Sequence, residues 1–508
     1  MNYPRPQMKR SQWQSLDGEW MINGRPGLVP ECRTEEKIVY EKQFCYQKLN
    51  DRVLLHFGAA DQIAEVWLNG GYLGRHIGGY LPFTFEITDQ LKEENLLRVE
   101  VTDTLDHTYP YGKQRKDRGG MWYTPISGLW KSVWLESVPE TYISEVRITP
   151  DLSGATLEIK TESPEGTKTE LERVTVENPE LWTPENPKLY PYTVKRGRDE
   201  VEIYFALRTI EIREINGISR VLLNGKPIFL HGVLDQGYFR EGIYTPGDMA
   251  EYERDVLRMK ELGLNCIRKH IKIEPEEFYY ACDRLGILVM QDMVNSGEYR
   301  FFRDTVLGTL GLPLSDRKKA TDGRMEFFIT HSIKTIRHLY NHPSIIAYTI
   351  FNEGWGQFES DMMYDRLRAC DSTRLYDSTS GWFAQKNSDF DSEHIYFRLK
   401  KLKPKKRPLL VSECGGYSYN LSGQNKTYGY GKCTSREELT DRIEKLYTDM
   451  IIPAIASGCC GSVYTQLSDV EDEINGLYSY DRKVCKADKK RMLAIAAQLM
   501  AEIKKTDL

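Results

Sequence analysis

The chain has 508 residues, too many for one hydrophobic core, so two to four domains are expected. Its 69 basic and 74 acidic side chains leave a net charge of −5, and that near-balance gives no reason to expect a nucleic-acid or polyanion partner. Hydrophobic residues at 40% and charged residues at 28% are the proportions of a globular protein, and the absence of any run of about 18 apolar residues argues against a membrane span.

Residues 1–140 carry no long helical pattern. Short β-rich segments recur instead: KIVYEKQFCY, RVLLHFG, AEVWLNG, TFEIT, LLRVEV and KSVWLE, separated by Gly, Asn and Asp. Many short strands at close spacing predict a β-sandwich or jelly roll. Residues 141–215 continue as strands (YISEVRITP, ATLEIKT, RVTVENP, YPYTVKR, VEIYFALRTIEI), interrupted by the proline-rich ENPELWTPENPKLYP. That length suits a small immunoglobulin-like sandwich.

From residue 216 apolar strands alternate with amphipathic helices, the sign of βα units and a parallel sheet. Strands are expected at PIFLHGV, LNCIRKH, ILVMQDM, SIIAYTIFNE, RLYDSTSG, SEHIYF, PLLVSEC and GCCGSVYTQ. Helices are expected at DMAEYERDVLRMKELG, with Tyr252, Val256 and Met259 on one face, at EPEEFYYACDRLG, with Phe278, Cys282 and Leu285, and at RMEFFITHSIKTIRHLYN, with Ile329, Ile333 and Ile336. Eight strands over residues 216–508 fit a (β/α)8 TIM barrel. A doubly wound open sheet is the runner-up, but no GxGxxG or P-loop supports it. The stretch 296–323 is long enough to be an active-site loop or a disordered insertion.

Ten cysteines lack CxxC spacing; Cys459 and Cys460 are adjacent, and Cys266 and Cys282 lie in apolar segments. They read as reduced core residues of a cytoplasmic protein. The N-terminal MNYPRPQMKRSQWQ has no apolar core of the kind a signal peptide needs. Aromatic residues reach 11%, with 31 Tyr and 9 Trp. Their rings pack on the C–H faces of sugars, which mildly favours a carbohydrate partner, although β-rich cores explain them equally well.

In such a barrel the chemistry sits at the C-terminal ends of the strands. Glu353 ends the fourth strand and Glu413 the seventh; in each case an apolar run meets one carboxylate and then glycine. Two carboxylates opposed across a barrel mouth can cleave a glycosidic bond. One protonates the leaving oxygen while the other attacks the anomeric carbon or activates water, according to their separation. Other polar residues reach the same rim: Asp235 after strand one, Arg268 and His270 at the end of strand two, Asp292 after strand three, His394 and Tyr396 in strand six, and Tyr464 and Gln466 in strand eight. A buried Arg268 would keep a neighbouring carboxylate ionised, and Tyr396 could hydrogen-bond the same carboxylate. His270 either binds a hydroxyl or is a satisfied core histidine, and Asp292 either serves the site or stabilises a loop. Trp355 either stacks on a sugar or walls the core. No GxSxG, HExxH or tight metal-ligand cluster appears, so neither a catalytic metal nor another cofactor is expected.

Together these stretches resemble glycoside hydrolase family 2, the β-galactosidase and β-glucuronidase family. The resemblance is carried by YPRPQMKRSQWQSLDGEW at the N-terminus, VWLNGGYLGRHIGGYLPFTFEIT and GGMWYTPISGLWKSVWLE in the first sandwich, and VLLNGKPIFLHGVLDQ at the start of the barrel. It implies retaining hydrolysis by a double displacement. The family's Asn-Glu pair falls on Asn352 and Glu353, making Glu353 the acid/base and Asn352 a contact for the sugar 2-hydroxyl. The nucleophile falls on Glu413, the arginine after strand two on Arg268 and the strand-six aromatic on Tyr396. The Asn-x-Lys-Gly element of family glucuronidases has no convincing counterpart: QNKTYG, at 424–429, follows Glu413 too closely. The expectation is an exo-acting β-glycosidase, β-galactosidase-like in preference to β-glucuronidase, β-galacturonidase or β-mannosidase. The reading from another class is a non-catalytic carbohydrate-binding protein, which two intact glutamates oppose. The expected partner is a carbohydrate, with no nucleic acid and no membrane, and self-association into a homo-oligomer is left open.

Overall fold

The computed structural model describes residues 3–46, 50–308, 310, 316, 323–403, 405–421, 423 and 426–507. The first unit is a two-sheet sandwich. One sheet has six strands in the order Arg25–Val29, Gly18–Ile22, Lys37–Cys45, Glu94–Thr102, Ile63–Leu68 and Gly71–Ile77; the other has Trp13–Ser15, Val133–Val138, Arg52–Phe57 and Phe83–Glu86. Burial alternates along the strands: Ala64, Val66 and Leu68 are buried, and the residues between them are half-buried. The inner faces meet in a core of Trp20, Tyr40, Leu55, Val66, Val99 and Leu135. The irregular stretch after Thr102 leaves this sandwich, and its Tyr111, Trp122, Tyr123 and Trp130 join the core of the barrel instead. The sandwich thereby becomes a wall of the barrel mouth.

The second unit holds the strands Tyr142–Pro150, Gly154–Ser163 and Gly166–Thr175 in one sheet and the pair Tyr190–Arg196 and Asp199–Phe205 in another. The expected strand VEIYFALRTIEI breaks after Phe205. Its second half, Ile210–Ile215, turns and pairs with Ile218–Leu223, so the boundary expected at 215/216 falls on a hairpin tip. The hairpin's Ile210, Val221 and Leu223 pack with Leu230, Cys266 and Leu288 of the barrel. Trp182, from the proline-rich stretch, is fully buried in the same cluster and donates its indole N–H to the Asp283 carbonyl at 2.8 Å. Truncating such an anchor costs about 3–5 kcal/mol.

The third unit is a parallel barrel. Its strands are β1 Leu230–Asp235, β2 Cys266–Lys269, β3 Leu288–Asp292, β4 Ile345–Asn352, β5 Leu375–Ser380, β6 Asp391–Ile395, β7 Leu409–Gly415 and β8 Cys459–Thr465. The ladder runs β5-β4-β3-β2-β1-β8-β7-β6. All eight expected strands are present. Both faces of nearly every strand are buried, which is why they read as continuous apolar runs rather than alternating ones. Helices α1 Ala250–Glu261, α2 Glu276–Leu285 and α3 Arg324–Leu339 lie where they are expected. Tyr252, Val256 and Met259 of α1 face the core, and Gly286, at φ 77°, ends α2 by donating to the Cys282 carbonyl at 2.9 Å.

The seam between β5 and β6 is held by side chains. Ser392 Oγ donates to Asp377 at 2.8 Å, and Ser380 Oγ meets His394 Nε2 at 3.0 Å. Within the 296–323 stretch, Phe302–Leu307 forms a turn of π-helix; residues 309, 311–315 and 317–322 lie outside the described residues, as do Gln424 and Asn425 of QNKTYG. No described helix is long and apolar enough to cross a membrane.

Candidate active site

The C-terminal ends of β2, β3, β4, β6 and β7 converge on one buried network. At its centre is Arg268, 0% exposed at the end of β2. Its Nε donates to Asp292 at 3.0 Å, its Nη1 to Glu413 Oε1 at 3.0 Å and to the Ser412 carbonyl at 3.1 Å, and its Nη2 to Asn352 Oδ1 at 2.9 Å. One planar guanidinium thus sets the positions of three side chains from three strands. Because a guanidinium only donates, it fixes the Asn352 amide with its oxygen inward and leaves the NH2 facing away from it. Asp292 also accepts from His270 Nδ1 at 2.7 Å. Burial holds the His270 ring below its ordinary pKa, and its partner carboxylate is held below the carboxylate range against the pull of its own burial, chiefly by Arg268. His270 and Asp292 therefore orient Arg268.

Glu413 is buried in β7. Its Oε1 takes Arg268 and its Oε2 takes the Tyr396 hydroxyl. Burial alone would raise its pKa, but the His394 ring, the Arg268 guanidinium, His270 and the Tyr396 hydrogen bond outweigh it and bring the pKa down to about 2. Glu413 is a carboxylate held ionised.

Glu353 follows β4 immediately, at φ 51°, in the left-handed region that a non-glycine residue occupies at a cost on the order of 1–3 kcal/mol. Its N–H donates to the Ser380 carbonyl at 3.0 Å, and its side chain is 14% exposed. Gly354, at φ 71°, continues the turn; a Cβ there would lie 2.2 Å from the Phe383 ring. The Glu353 carboxylate meets His394 Nδ1 at 2.7 Å.

His394 is the principal residue that sequence reasoning left without a role. Its buried ring spans the two glutamates, with Nδ1 on Glu353 and Nε2 3.5 Å from Glu413 Oε1 and 3.0 Å from Ser380 Oγ. It lies on the β5–β6 seam, where the ring crosses the backbone of Gly381; a Cβ there would lie 2.9 Å from the ring. The available signal was the pair of a strand-six histidine and a glycine directly after strand five. Glu353, His394 and Glu413 each offer a donor atom within 4.8 Å of the others, so among the described residues this trio is a group that could hold a metal. Both Glu413 oxygens, however, already accept from Arg268 and Tyr396, and a cation would sit beside the guanidinium.

Four expected rim residues are engaged elsewhere. Asp235 is buried and ion-paired with Lys269, which also binds Glu274 at 2.8 Å. Lys269 holds the Asp235 carboxyl below its ordinary pKa against burial. Trp355, 2% exposed, donates its indole N–H to the Gly297 carbonyl at 2.8 Å and packs edge-on to Trp122 at 5.0 Å, so it is a core wall and not a free stacking face. Tyr464 is buried, with its ring against Gly415. Gln466 is buried and donates to Asn475 at 2.9 Å. Long aromatic and polar side chains at strand ends fill the barrel interior as readily as they reach its mouth, and the one-dimensional pattern does not separate the two.

The network opens into a cleft of about 790 Å³ lined by Glu353, His394, Tyr396, Trp382 and Tyr430, with Met121, from the stretch that leaves the first sandwich, on its rim. Tyr430 stacks on Tyr396 at 4.0 Å and was also missed. It lies over Gly416, at φ 67°, where a Cβ would come within 2.5 Å of its ring.

Three family models match the chain. They are the family 2 glycosyl hydrolase TIM barrel domain over residues 213–450, the family 2 galactose-binding domain-like region over 31–128 and the glycosyl hydrolases family 2 model over 158–208. The chain belongs to glycosyl hydrolase family 2. Among its relatives, a "Beta-galactosidase" of Thermoanaerobacter pseudethanolicus is 27% identical over 300 residues, covering 50% of this chain and 39% of the relative. The chain spans less than half the length of the curated relatives it matches. A family 2 β-galacturonidase from Eisenbergiella tayi, solved with glycerol, superposes with a TM-score of 0.75 at 18% identity, covering 97% of each chain. A β-D-glucuronidase from Dictyoglomus thermophilum superposes with a TM-score of 0.75 at 18% identity, over 98% of this chain and 99% of that one. Likeness at that identity establishes the shared three-unit fold.

Proposed function

We propose that this chain is a retaining, exo-acting β-glycosidase. The observation that carries the reading is the approach of a Glu353 and a Glu413 carboxylate oxygen to within 4.8 Å, in unlike surroundings. Carboxyl groups about 5–5.5 Å apart suit a double displacement, whereas inversion needs about 6.5–9.5 Å to admit water between them. Glu413, held ionised, is the nucleophile: it attacks the anomeric carbon as the glycosidic C–O bond breaks. Glu353 gives its proton to the departing oxygen. It then takes a proton from the water that attacks the same carbon and releases Glu413. The Asn352 NH2, facing away from Arg268, donates to the sugar 2-hydroxyl. Arg268, Tyr396 and His394 position the two carboxylates. Walls from the first sandwich and from the 301–308 turn favour cleavage at a chain end.

For the sugar itself, a β-galactoside is the first choice, supported by relatives such as the Thermoanaerobacter β-galactosidase. A panel of 4-nitrophenyl β-glycosides (galactoside, glucuronide, galacturonide, mannoside, glucoside) tests it. Turnover of the galactoside fastest, with the β-anomer as the first product by NMR, is the expected result. Release of the α-anomer first would overturn retention, and turnover of none would overturn the enzyme reading.

The pH profile tests the nucleophile. A group with its pKa near 2 stays ionised above about pH 3, so kcat/KM of the wild type should show no acid limb from Glu413 there. Tyr396→Phe removes a hydrogen bond to the ionised form, raises the Glu413 pKa and should bring an acid limb up toward the ordinary carboxylate range. An unchanged acid side in the variant would argue that Tyr396 does not act on Glu413.

A further inference from the structure

Seven of the ten residues 398–407 are lysine or arginine, and none is acidic. The segment joins β6 to β7; two of its lysines face the cleft, whereas Lys406 and Arg407 lie at a separate pocket with Asp391. Leu402 is buried and anchors it in the barrel core, while six of the seven basic side chains are exposed. Lys400 and Lys405 line the same cleft as Glu353 and Tyr396. Both bind the one carboxylate of Glu393, at 2.6 and 2.8 Å, which leaves an uncompensated positive charge at the cleft wall. Arg398, Lys401, Lys403 and Lys406 have no acidic partner among the described residues. In a chain of net charge −5, like charges gathered on one strap repel each other, and an anion in the cleft relieves that cost.

The cleft also has a direction. Glu353 lines it and Glu413 does not, so it extends from the proposed proton donor, where the leaving group departs. Its floor is aromatic: Tyr430 stacks on Tyr396, Phe397 stands edge-on to Tyr430 at 5.4 Å, and Trp382 faces His394 at 5.5 Å. Aromatic faces beside lysines are a surface for sugar rings that carry charge.

We propose, on the reading of Glu353 as proton donor, that the leaving-group side of this cleft takes an oligosaccharide with anionic groups, carboxylate or sulfate, held by Lys400, Lys405 and the strap. Hydrolysis of the best neutral 4-nitrophenyl β-glycoside, at low ionic strength, is inhibited in turn with galacturonate trimer, sulfated galactose trimer and neutral galactotriose. At least one acidic trimer should have a Ki roughly tenfold or more below the neutral one, and which one does identifies the anion. The ratio should fall to within about threefold in K400Q/K405Q and in wild type at about 0.5 M NaCl, the latter independent of how the variant folds. Equal Ki values for all three trimers in wild type, or a ratio insensitive to both charge removal and salt, would overturn the proposal. So would duplex DNA or phosphatidylserine vesicles competing as well as the acidic trimers. If no aryl glycoside is turned over, calorimetric titration of the same trimers still reads the strap: tight acidic binding there would support the anion site while the enzyme reading falls, and equal binding of all three trimers would overturn the site itself.

Discussion

Glu413→Gln is expected to lower kcat by roughly 10⁴–10⁶-fold while the substrate still binds. The amide keeps the size of the side chain and can still accept the Tyr396 hydroxyl, but it carries no charge to attack the anomeric carbon. The substitution also leaves the Arg268 guanidinium facing a neutral group. Because Asp292, Asn352 and the Ser412 carbonyl still accept from it, the fold should survive. A thermal melt near wild type, together with lost turnover and retained binding by calorimetry, is the anticipated result. Turnover within tenfold of wild type would remove Glu413 from the nucleophile role.

Glu353→Gln should separate substrates by their leaving groups. General acid catalysis is worth about 10²–10⁴-fold where the departing oxygen is basic and little where it leaves unaided. Alkyl or disaccharide β-glycosides should therefore slow by about that factor, whereas activated dinitrophenyl β-glycosides should slow far less in their first step. Equal losses on both classes would argue that Glu353 only positions other groups. The left-handed backbone at Glu353 gives the variant a further control: Gln occupies that region no more easily than Glu, so any change in stability comes from the lost carboxylate–His394 contact and not from the turn.

The barrel was legible because its signals are local. Strands buried on both faces must be continuously apolar, and helices over them must be amphipathic, so SIIAYTIFNE and PLLVSEC announce themselves without knowledge of their neighbours. The same locality exposed Glu353 and Glu413, each a carboxylate at the end of such a run. It left Trp355 open between a sugar face and a core wall, and it put Asp235, Tyr464 and Gln466 on the rim. Their position near a strand end says that they can reach the mouth, but competing partners elsewhere in the fold, Gly297, Lys269, Gly415 and Asn475, hold them. The boundary at 215/216 was placed where a run of strands gives way to strand–helix alternation, and that rhythm does not show that Ile210–Ile215 pairs forward with Ile218–Leu223 and packs with the barrel. Net charge, a sum over 508 residues, does not show that residues 398–407 carry seven basic side chains, of which Lys400 and Lys405 line the cleft.

By itself, the sequence determined the three-unit order, the parallel barrel and the two strand-end glutamates, because periodicity and chain position carry all three. Only the tertiary structure decided how close the glutamates come, that Glu413 is held ionised, and that His394 bridges them across the β5–β6 seam. Those properties depend on side chains from different strands, 41 residues apart for Glu353 and His394 and 145 for Arg268 and Glu413. Their meeting is set by the closing of the sheet, which no local pattern encodes.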